Sequence, residues 1–168
     1  WTNLFGRLTR PNRKPTQGLS RHTLGFLAQP LSSDLVGERE LGDGRTVQYL
    51  EGWAAIEQAN RIFGFDGWGA ELVGEVHYHP VRHVDVSREE QLVTGMYRAT
   101  VRVRVKGCMP KTDVGCGFVR AETPEEHETA MKGAVTDATK RALRYFGDQF
   151  GNGLYSSRPR TTSVEAPS

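Results

Sequence analysis

The residues from Tyr97 to Lys106 alternate between apolar and polar side chains without a break. The apolar positions are Tyr97, Ala99, Val101, Val103 and Val105, and the polar positions are Arg98, Thr100, Arg102, Arg104 and Lys106. Because successive side chains of a β-strand point to opposite faces, this period of two predicts a long strand with one buried face and one cationic face. An apolar sheet face has to be covered by another layer, so the chain must supply a second apolar surface.

Two further strand patterns flank this segment. Residues 68–78 alternate in the same way, and residues 112–119 form a third, shorter pattern. The polar stretch 79–91 is typical of a long connection between strands, and the glycine and proline of residues 107–110 are typical of a turn. The sequence therefore predicts three antiparallel strands joined as a meander.

A first helix is predicted over residues 49–63, before the strands. Its apolar side chains recur at helical spacing, at Trp53, Ile56, Ala59, Ile62 and Phe63. The glycine-containing segment 64–67 ends it. Trp53, together with Trp68 and Phe146, is interpreted as a core or subunit-interface residue.

A long helix is predicted from about Pro124 to Phe146. Thr123 is suited to be its N-cap, with Pro124 at the first position and Glu126 three residues after the cap.

This helix has two different sides. One side carries the apolar residues Met131, Val135, Ala138, Ala142 and Phe146, and the opposite side carries the basic residues Lys140, Arg141 and Arg144. The apolar stripe is the predicted cover of the sheet, which gives an α+β class with a β-β-β-α core.

The cationic side of this helix favours a phosphate-bearing partner. Fixed Lys and Arg side chains gain free energy from counterion release along a nucleic-acid backbone without reading any base. A solvated charged face is the alternative, and Asp137 could neutralise Arg141 one turn away. Arg102 and Arg104 form a second cationic surface that faces either DNA or solvent.

The charge distribution divides the chain into three parts. The net charge is only +2, but no Asp or Glu precedes Asp34, so residues 1–30 are predicted to be a basic arm. Such an arm lies along nucleic acid, is the remnant of an organelle targeting segment, or is a passive tail. Residues 31–155 form the predicted folded domain, and residues 156–168 are too poor in apolar side chains to order themselves. No apolar run approaches the roughly 18 residues that a membrane span needs.

Several motifs occur in a fixed order: YLEGWAAIEQANRIFGFDGW, VRVRVKG, TDVGCG, and AVTDATKRALRYFGDQFGNGLY. In this order and spacing the chain resembles the DNA-binding core of the Rad52 family of single-strand annealing proteins, over roughly residues 31–155. The resemblance implies a homo-oligomeric ring that binds single-stranded DNA in a positively charged outer groove, with the bases exposed. It implies annealing of complementary strands in homologous recombination and double-strand break repair, without ATP, cofactor or covalent chemistry.

The same resemblance assigns the DNA-binding residues. Lys140 and Arg141 correspond to the basic pair of the inner groove, and Arg144 to a further groove arginine. Phe65 corresponds to the aromatic residue of the family's F-G-Y-N-G-W turn and is assigned to the inner groove with these cations. Lys106 corresponds to a lysine of the family's outer DNA surface, to which the neighbouring Arg102 and Arg104 are added.

The chain departs from the family at Ala54, where an arginine is usual. Arg61 or the basic arm would then replace one phosphate contact, or the groove binds less tightly. The family region that recruits other recombination proteins is not recognisable, so such partners would act through regions not present. The resemblance implies a DNA-associated location, in a nucleus, a bacterial or phage nucleoid, or an organelle.

Two other function classes remain open at this stage. His77 and His79 share one side of a predicted strand with Glu71 and Glu75, and His83 follows, which suits a metal-dependent enzyme. No G-x-x-x-x-G-K-[ST] motif is present, so an ATP-driven recombinase is disfavoured. A module that binds single-stranded DNA without annealing it is the second alternative.

Overall fold

The computed structural model of the chain describes residues 18–41, 44–81 and 93–155. Its elements, in chain order, are helix α1 (Arg21–Leu27), strands β1 (Val36–Glu40) and β2 (Thr46–Leu50), helix α2 (Gly52–Phe63), strands β3 (Trp68–Leu72), β4 (His77–Pro80), β5 (Gly95–Val105) and β6 (Lys111–Val119), and helix α3 (Pro124–Arg144). Short 3-10 turns lie at Ser33–Leu35, Asp148–Phe150 and Asn152–Tyr155. The predicted α+β class is confirmed, with antiparallel sheets and one long helix. Among the helices of these described ranges, none is long and apolar enough to cross a bilayer.

Strand β5 is the centre of the main sheet. Strand β6 pairs along one of its edges, while β3 and β4 pair with opposite ends of the other edge. The predicted meander order is correct, but the predicted single first strand over residues 68–78 is broken into two short strands. The break contains Gly74, whose φ of 78° lies in the left-handed region that glycine adopts without strain. Most of the predicted connection 79–91 lies outside the described residues.

The alternation along β5 is confirmed by burial. Ala99, Val101, Val103 and Val105 are all buried, whereas Arg98 and Arg104 are exposed. Helix α3 covers the apolar face, as predicted, through a stripe that shares Ala138 and Ala142 with the predicted one but differs at the other positions. Its buried residues are Ala130, Ala134, Ala138, Ala142 and Leu143. Met131, which was predicted to lie in the stripe, is 40% exposed.

Two glycines of β6 explain why alanines form this stripe. A Cβ atom at Gly115 would lie 2.1 Å from the backbone nitrogen of Ala138, and one at Gly117 would lie 1.8 Å from the carbonyl oxygen of Ala130. The backbone of α3 therefore packs directly against the backbone of β6. Only small side chains fit between them, so the contact requires glycine on β6 and alanine on α3.

The predicted start of α3 is confirmed. The Oγ1 atom of Thr123 accepts a hydrogen bond from the backbone N–H of Glu126 over 3.3 Å, and Pro124 is the first helical residue. This cap satisfies one of the backbone donors that a helix start leaves unpaired. The helix ends at Arg144, two residues before the predicted end.

The region before α2 contains structure that the sequence did not reveal. Helix α1 lies within the predicted arm, and its Leu27 is buried in the core. Residues 21–27 are therefore part of the folded unit, which corrects the assignment of the whole segment 1–30 to an arm. Strands β1 and β2 form a separate hairpin. The predictions for residues 1–17 and 156–168 concern residues outside the described ranges.

Helix α2 buries Ala59 as predicted, and Ile62 and Phe63 pack against the core, but the first two turns bury a different side. Its buried residues are Ala54, Ala55, Gln58 and Ala59, whereas Trp53 is 64% exposed and Ile56 is 44% exposed. Of the two interpretations of Trp53, the core residue is therefore wrong, and the subunit-interface residue stays a prediction. Small side chains face inward because the start of α2 lies close to α3, where a Cβ atom at Gly52 would be 2.3 Å from Cγ2 of Thr136.

A buried pair of glutamines joins three parts of the fold. Gln58 of α2 donates a hydrogen bond to Gln149 over 3.0 Å, and both side chains are buried. The side-chain nitrogen of Gln149 in turn donates to the carbonyl oxygens of Gln29, at 3.0 Å, and Pro30, at 2.9 Å. This network holds the turn that follows α3 against α2 and the segment after α1.

Replacing Gln149 by alanine should lower the free energy of unfolding by about 1–3 kcal/mol, because buried partners lose their hydrogen bonds. Urea unfolding followed by circular dichroism measures this change. The matched control is Gln48→Ala, since Gln48 makes an exposed hydrogen bond to Glu38. That control should change stability by less than about 0.5 kcal/mol. Equal effects of the two substitutions would contradict the role of the buried network.

Candidate functional site

The last two turns of α3 carry Lys140, Arg141 and Arg144, here called the basic cluster. Lys140 is half-buried, and its Nζ atom donates a hydrogen bond to the carbonyl oxygen of Leu50 over 3.2 Å. The same atom lies 5.9 Å from the ring centre of Tyr49, within the range of a cation–π contact. An ammonium group has three donors, so this anchored lysine keeps donors for an anion.

Arg141 is held by a strand rather than by its own helix. Its Nε atom lies 3.4 Å from Oδ1 of Asp113 on β6, with 44% of the arginine side chain exposed. Asp137, the predicted neutralising partner, instead accepts a hydrogen bond from the backbone N–H of Cys116 over 3.2 Å. Arg141 thus pairs between helix and sheet, whereas the alternative raised from the sequence was a pair with Asp137 within the helix.

The basic cluster opens onto two neighbouring cavities. The larger, about 480 Å³, is lined by Asp113, Arg141, Arg144, Tyr145, Phe146, Gly147 and Asn152. The smaller, about 90 Å³, is lined by Leu50, Asp137, Lys140, Arg141, Arg144, Phe150 and Gly151. Arg141 and Arg144 line both cavities, so the structure brings the three predicted groove residues together.

Aromatic packing supports this end of α3. The ring of Phe146 lies 5.6 Å from that of Phe63 in an edge arrangement, and the rings of Phe63 and Phe150 are stacked at 5.7 Å. Contacts between aromatic rings stabilise the fold by more than the burial of their apolar area alone. The turn after the helix is therefore fixed to α2, and the cluster lies on an ordered support.

The predicted outer surface, Arg102, Arg104 and Lys106, is paired with carboxylates. Glu71 on β3 accepts hydrogen bonds from Arg102 over 3.0 Å and from Arg104 over 2.9 Å. Lys106 contacts Asp66 over 2.6 Å. Three cations thus face two carboxylates, which leaves this surface with less free positive charge than the sequence pattern suggests.

The ion pairs shift the pKa values of Glu71 and Asp66 in the same direction. The hydrogen bond from Arg104, with a contribution from Arg102, lowers the pKa of Glu71. The hydrogen bond and charge of Lys106 lower the pKa of Asp66. A lowered pKa means that pairing stabilises the fold above the ordinary carboxyl pKa and that this contribution is lost as the pH falls through the lowered value. Because the pairs are exposed, the contribution is small.

Phe65 lies at the tip of the turn between α2 and β3 and is 88% exposed. The following residue, Asp66, contacts Lys106, and the backbone N–H of Lys106 donates to the carbonyl oxygen of Gly67 over 2.9 Å. The structure therefore places Phe65 beside the outer surface. Phe65 is not among the residues that line the two cavities of the basic cluster, so the structure does not bring it together with Lys140, Arg141 and Arg144 as the inner-groove assignment expected.

Comparison with known proteins assigns the family. A family model described as "Rad52/22 family double-strand break repair protein" matches residues 22–166. The chain belongs to the Rad52/22 family. The expected resemblance to Rad52 proteins is thereby confirmed.

Three fungal relatives show the extent of the similarity. The DNA repair and recombination protein rti1 of Schizosaccharomyces pombe is 38% identical over 135 residues, which is 79% of this chain and 35% of the relative. RAD52 of Eremothecium gossypii is 39% identical over 77% of this chain and 29% of its own length. RAD52 of Saccharomyces cerevisiae is 38% identical over 77% of this chain and 26% of its own length. The chain thus spans about a third or less of these Rad52-family relatives.

The structure clarifies the departure from the Rad52-family pattern at Ala54. This residue is buried, so its side chain faces the core rather than a groove. The guanidinium group of Arg61 lies 5.5 Å from the ring centre of Phe26, and both residues line a separate cavity of about 280 Å³ beside α1. Arg61 therefore packs against α1, apart from the cavities of the basic cluster. Residues 1–17 of the basic arm, which was the other candidate, lie outside the described residues.

The residues of the predicted metal site are exposed or engaged elsewhere. His77 and His79 are exposed on β4, and Glu71 pairs with two arginines. Within residues 18–41, 44–81 and 93–155, no group of three or more His, Cys, Asp or Glu side chains is arranged to hold a metal ion. His83 lies outside these ranges.

Sequence reasoning missed Asp113, Glu71 and Asp66 as partners of the cations, and Tyr145 as a residue of the cluster's cavity. The carboxylates pair across strands and between helix and sheet, so their partners depend on strand register and tertiary packing. Tyr145 follows Arg141 by four residues, and this helical spacing was visible in the sequence.

Proposed function

We propose that this chain binds single-stranded DNA at the basic cluster and anneals complementary strands in DNA repair and recombination, without nucleotide hydrolysis. Membership of the Rad52/22 family supports the repair and recombination context, as do relatives named DNA repair and recombination proteins. The chain is then associated with DNA. The base pairing takes place between the two DNA strands, and no covalent bond is made or broken. It has no enzymatic role in this proposal.

The observation that carries the proposal is the convergence of Lys140, Arg141 and Arg144 beside open cavities at one helix end. An annealing protein has to hold the phosphate backbone and leave the base edges free. Cations on a rigid support do this with little sequence preference, and their binding weakens as salt rises because counterions are released. The aromatic packing under α3 supplies that rigidity.

A homo-oligomeric ring completes the proposed unit. One basic cluster offers few phosphate contacts, so a single copy binds weakly, whereas many copies along one strand gain avidity. The exposed Trp53 and Ile56 on α2 favour contact between copies, since large apolar side chains gain free energy when they leave water. The proposal includes the outer surface and Phe65 as a second, weaker DNA contact.

The decisive experiment measures annealing of two complementary labelled oligonucleotides by the purified chain, without nucleotide or metal, over a salt series and with its mass in solution recorded. We expect a large oligomer that accelerates annealing at low salt and loses this effect as salt rises. Binding of single strands without acceleration would reduce the function to a binding module. Activity that requires an added divalent metal would favour the metal-dependent alternative.

Removing the carboxylate of Glu71 should strengthen the second DNA contact. In Glu71→Gln the guanidinium groups of Arg102 and Arg104 lose their ionic partner and become available to phosphate. We expect single-stranded DNA to bind a few-fold more tightly at low salt, with a steeper salt dependence by about 0.7 for each phosphate gained. Fluorescence anisotropy over a salt series measures both.

The matched control is Glu57→Gln, which changes the net charge equally on the exposed side of α2. If this control tightened binding as much as Glu71→Gln does, net charge alone would account for the effect, and the outer surface would have no specific role.

A further inference from the structure

Tyr145 is a large aromatic side chain beside the basic cluster. It follows the last residue of α3, is 61% exposed, and lines the same cavity of about 480 Å³ as Arg141 and Arg144. Residues four apart on a helix lie on one face, so Tyr145 extends the face of Arg141 by one turn. The cavity thus combines two guanidinium groups with one exposed ring.

The backbone around Tyr145 is well supported. Its own N–H donates to the carbonyl oxygen of Leu143, and the N–H of Gly147 donates to that of Arg144 over 3.1 Å. The next side chain, Phe146, packs against Phe63. Neighbouring side chains on a helix are about 100° apart, so the inward packing of Phe146 leaves the Tyr145 ring at the surface. A tyrosine side chain has only two rotatable angles, so ordering it on a ligand costs little entropy.

We infer that Tyr145 is a stacking platform for a nucleobase of the bound single strand, an inference that rests on the function proposed above. A strand whose phosphates contact Arg141 and Arg144 carries its bases within reach of a ring in the same cavity. Stacking uses the face of a base and leaves its pairing edge free, which is compatible with annealing. It also tolerates every base, because all bases have a π face.

This contact gives the site a preference that cations alone do not provide. Phosphate contacts attract single and double strands alike, since both have charged backbones. In a duplex the base faces are already stacked on their neighbours, so the Tyr145 ring finds no free face. Tyr145 therefore acts as a specificity residue that favours single strands over duplexes.

The substitutions Tyr145→Ala and Tyr145→Phe separate the ring from the hydroxyl group. We expect Tyr145→Ala to bind a single-stranded oligonucleotide about 5- to 150-fold more weakly, the range for loss of one stacked base. Tyr145→Phe should bind like the unmodified chain. Mass in solution and circular dichroism confirm that each variant keeps its assembly and fold.

The decisive comparison uses an abasic oligonucleotide of the same length and a matched duplex. Under the inference, Tyr145→Ala binds these two ligands as the unmodified chain does, and only the strand with bases distinguishes the proteins. Equal losses on the abasic strand, or no loss on any ligand, would overturn the stacking role while leaving the proposed function intact. Failure of the unmodified chain to bind any single strand would instead refute the proposed function.

Discussion

The double variant Lys140→Glu with Arg141→Glu should bind single-stranded DNA at least on the order of 100-fold more weakly than the unmodified chain. Hydrogen bonds from charged groups are each worth about 1.5–3 kcal/mol, so the loss of two such contacts has this size, and the introduced carboxylates repel phosphate in addition. The salt dependence should also become shallower, by about 0.7 for each lost phosphate contact. Anisotropy titrations at several salt concentrations measure both quantities, and annealing should be lost with binding.

Two further variants make the result interpretable. Lys132→Glu reverses one charge on the same helix, at an exposed residue that pairs with Glu128, and should leave binding nearly unchanged. Lys140→Gln removes the charge of Lys140 but keeps a donor for the carbonyl oxygen of Leu50, so it separates DNA contact from local structure. If the double variant kept its fold and its assembly and still annealed DNA, the basic cluster would not be the binding site.

Substitution of Gly117 by alanine should have the largest effect on stability. The added Cβ atom would lie 1.8 Å from the carbonyl oxygen of Ala130, and backbone on both sides of the contact leaves no flexible side chain to move aside. Helix α3 would have to shift away from the sheet. Overpacking of this kind costs about 3 kcal/mol or more. The free energy of unfolding of a domain is only about 5–15 kcal/mol, so this substitution removes a large fraction of the stability.

Urea and thermal unfolding of Gly117→Ala test this expectation. The matched control is Gly133→Ala, the same substitution on the exposed side of α3, where an added Cβ atom has nothing within 4 Å. The control should stabilise the protein by up to about 1 kcal/mol, because alanine favours helix more than glycine does. A Gly117→Ala variant as stable as the control would mean that the close approach of α3 to β6 is unnecessary.

Local patterns predicted the parts of the fold that depend on local chemistry. The alternation of β5 and the Thr123 cap were correct because strand periodicity and N-capping involve residues within a few positions of one another. The stripe of α3 was misassigned at Met131 because the contact is decided by Gly115 and Gly117, which lie on another element. Helix α1 is only seven residues long, too short for periodicity to identify it.

In the candidate site, too, the features set by local sequence were predictable and those set by long-range packing were not. The proximity of Lys140, Arg141 and Arg144 was predicted correctly because helical spacing places them together, while their role in DNA binding stays a prediction. Their environment could not be found in that way. Asp113 reaches Arg141 only after β6 packs against α3, and Glu71 reaches Arg102 only once β3 and β5 pair in register. Partners set by long-range packing require the folded structure.

The break in the first strand has a consequence for how copies of this chain meet. An unbroken sheet edge presents a row of unpaired backbone donors and acceptors that can recruit another strand and lead to fibrous aggregation. Here the edge is divided into β3, with 5 residues, and β4, with 4 residues, separated by a kink at Gly74. A second chain would have to follow that kink to pair along the whole edge. This edge is therefore a poor template for the open-ended addition of strands.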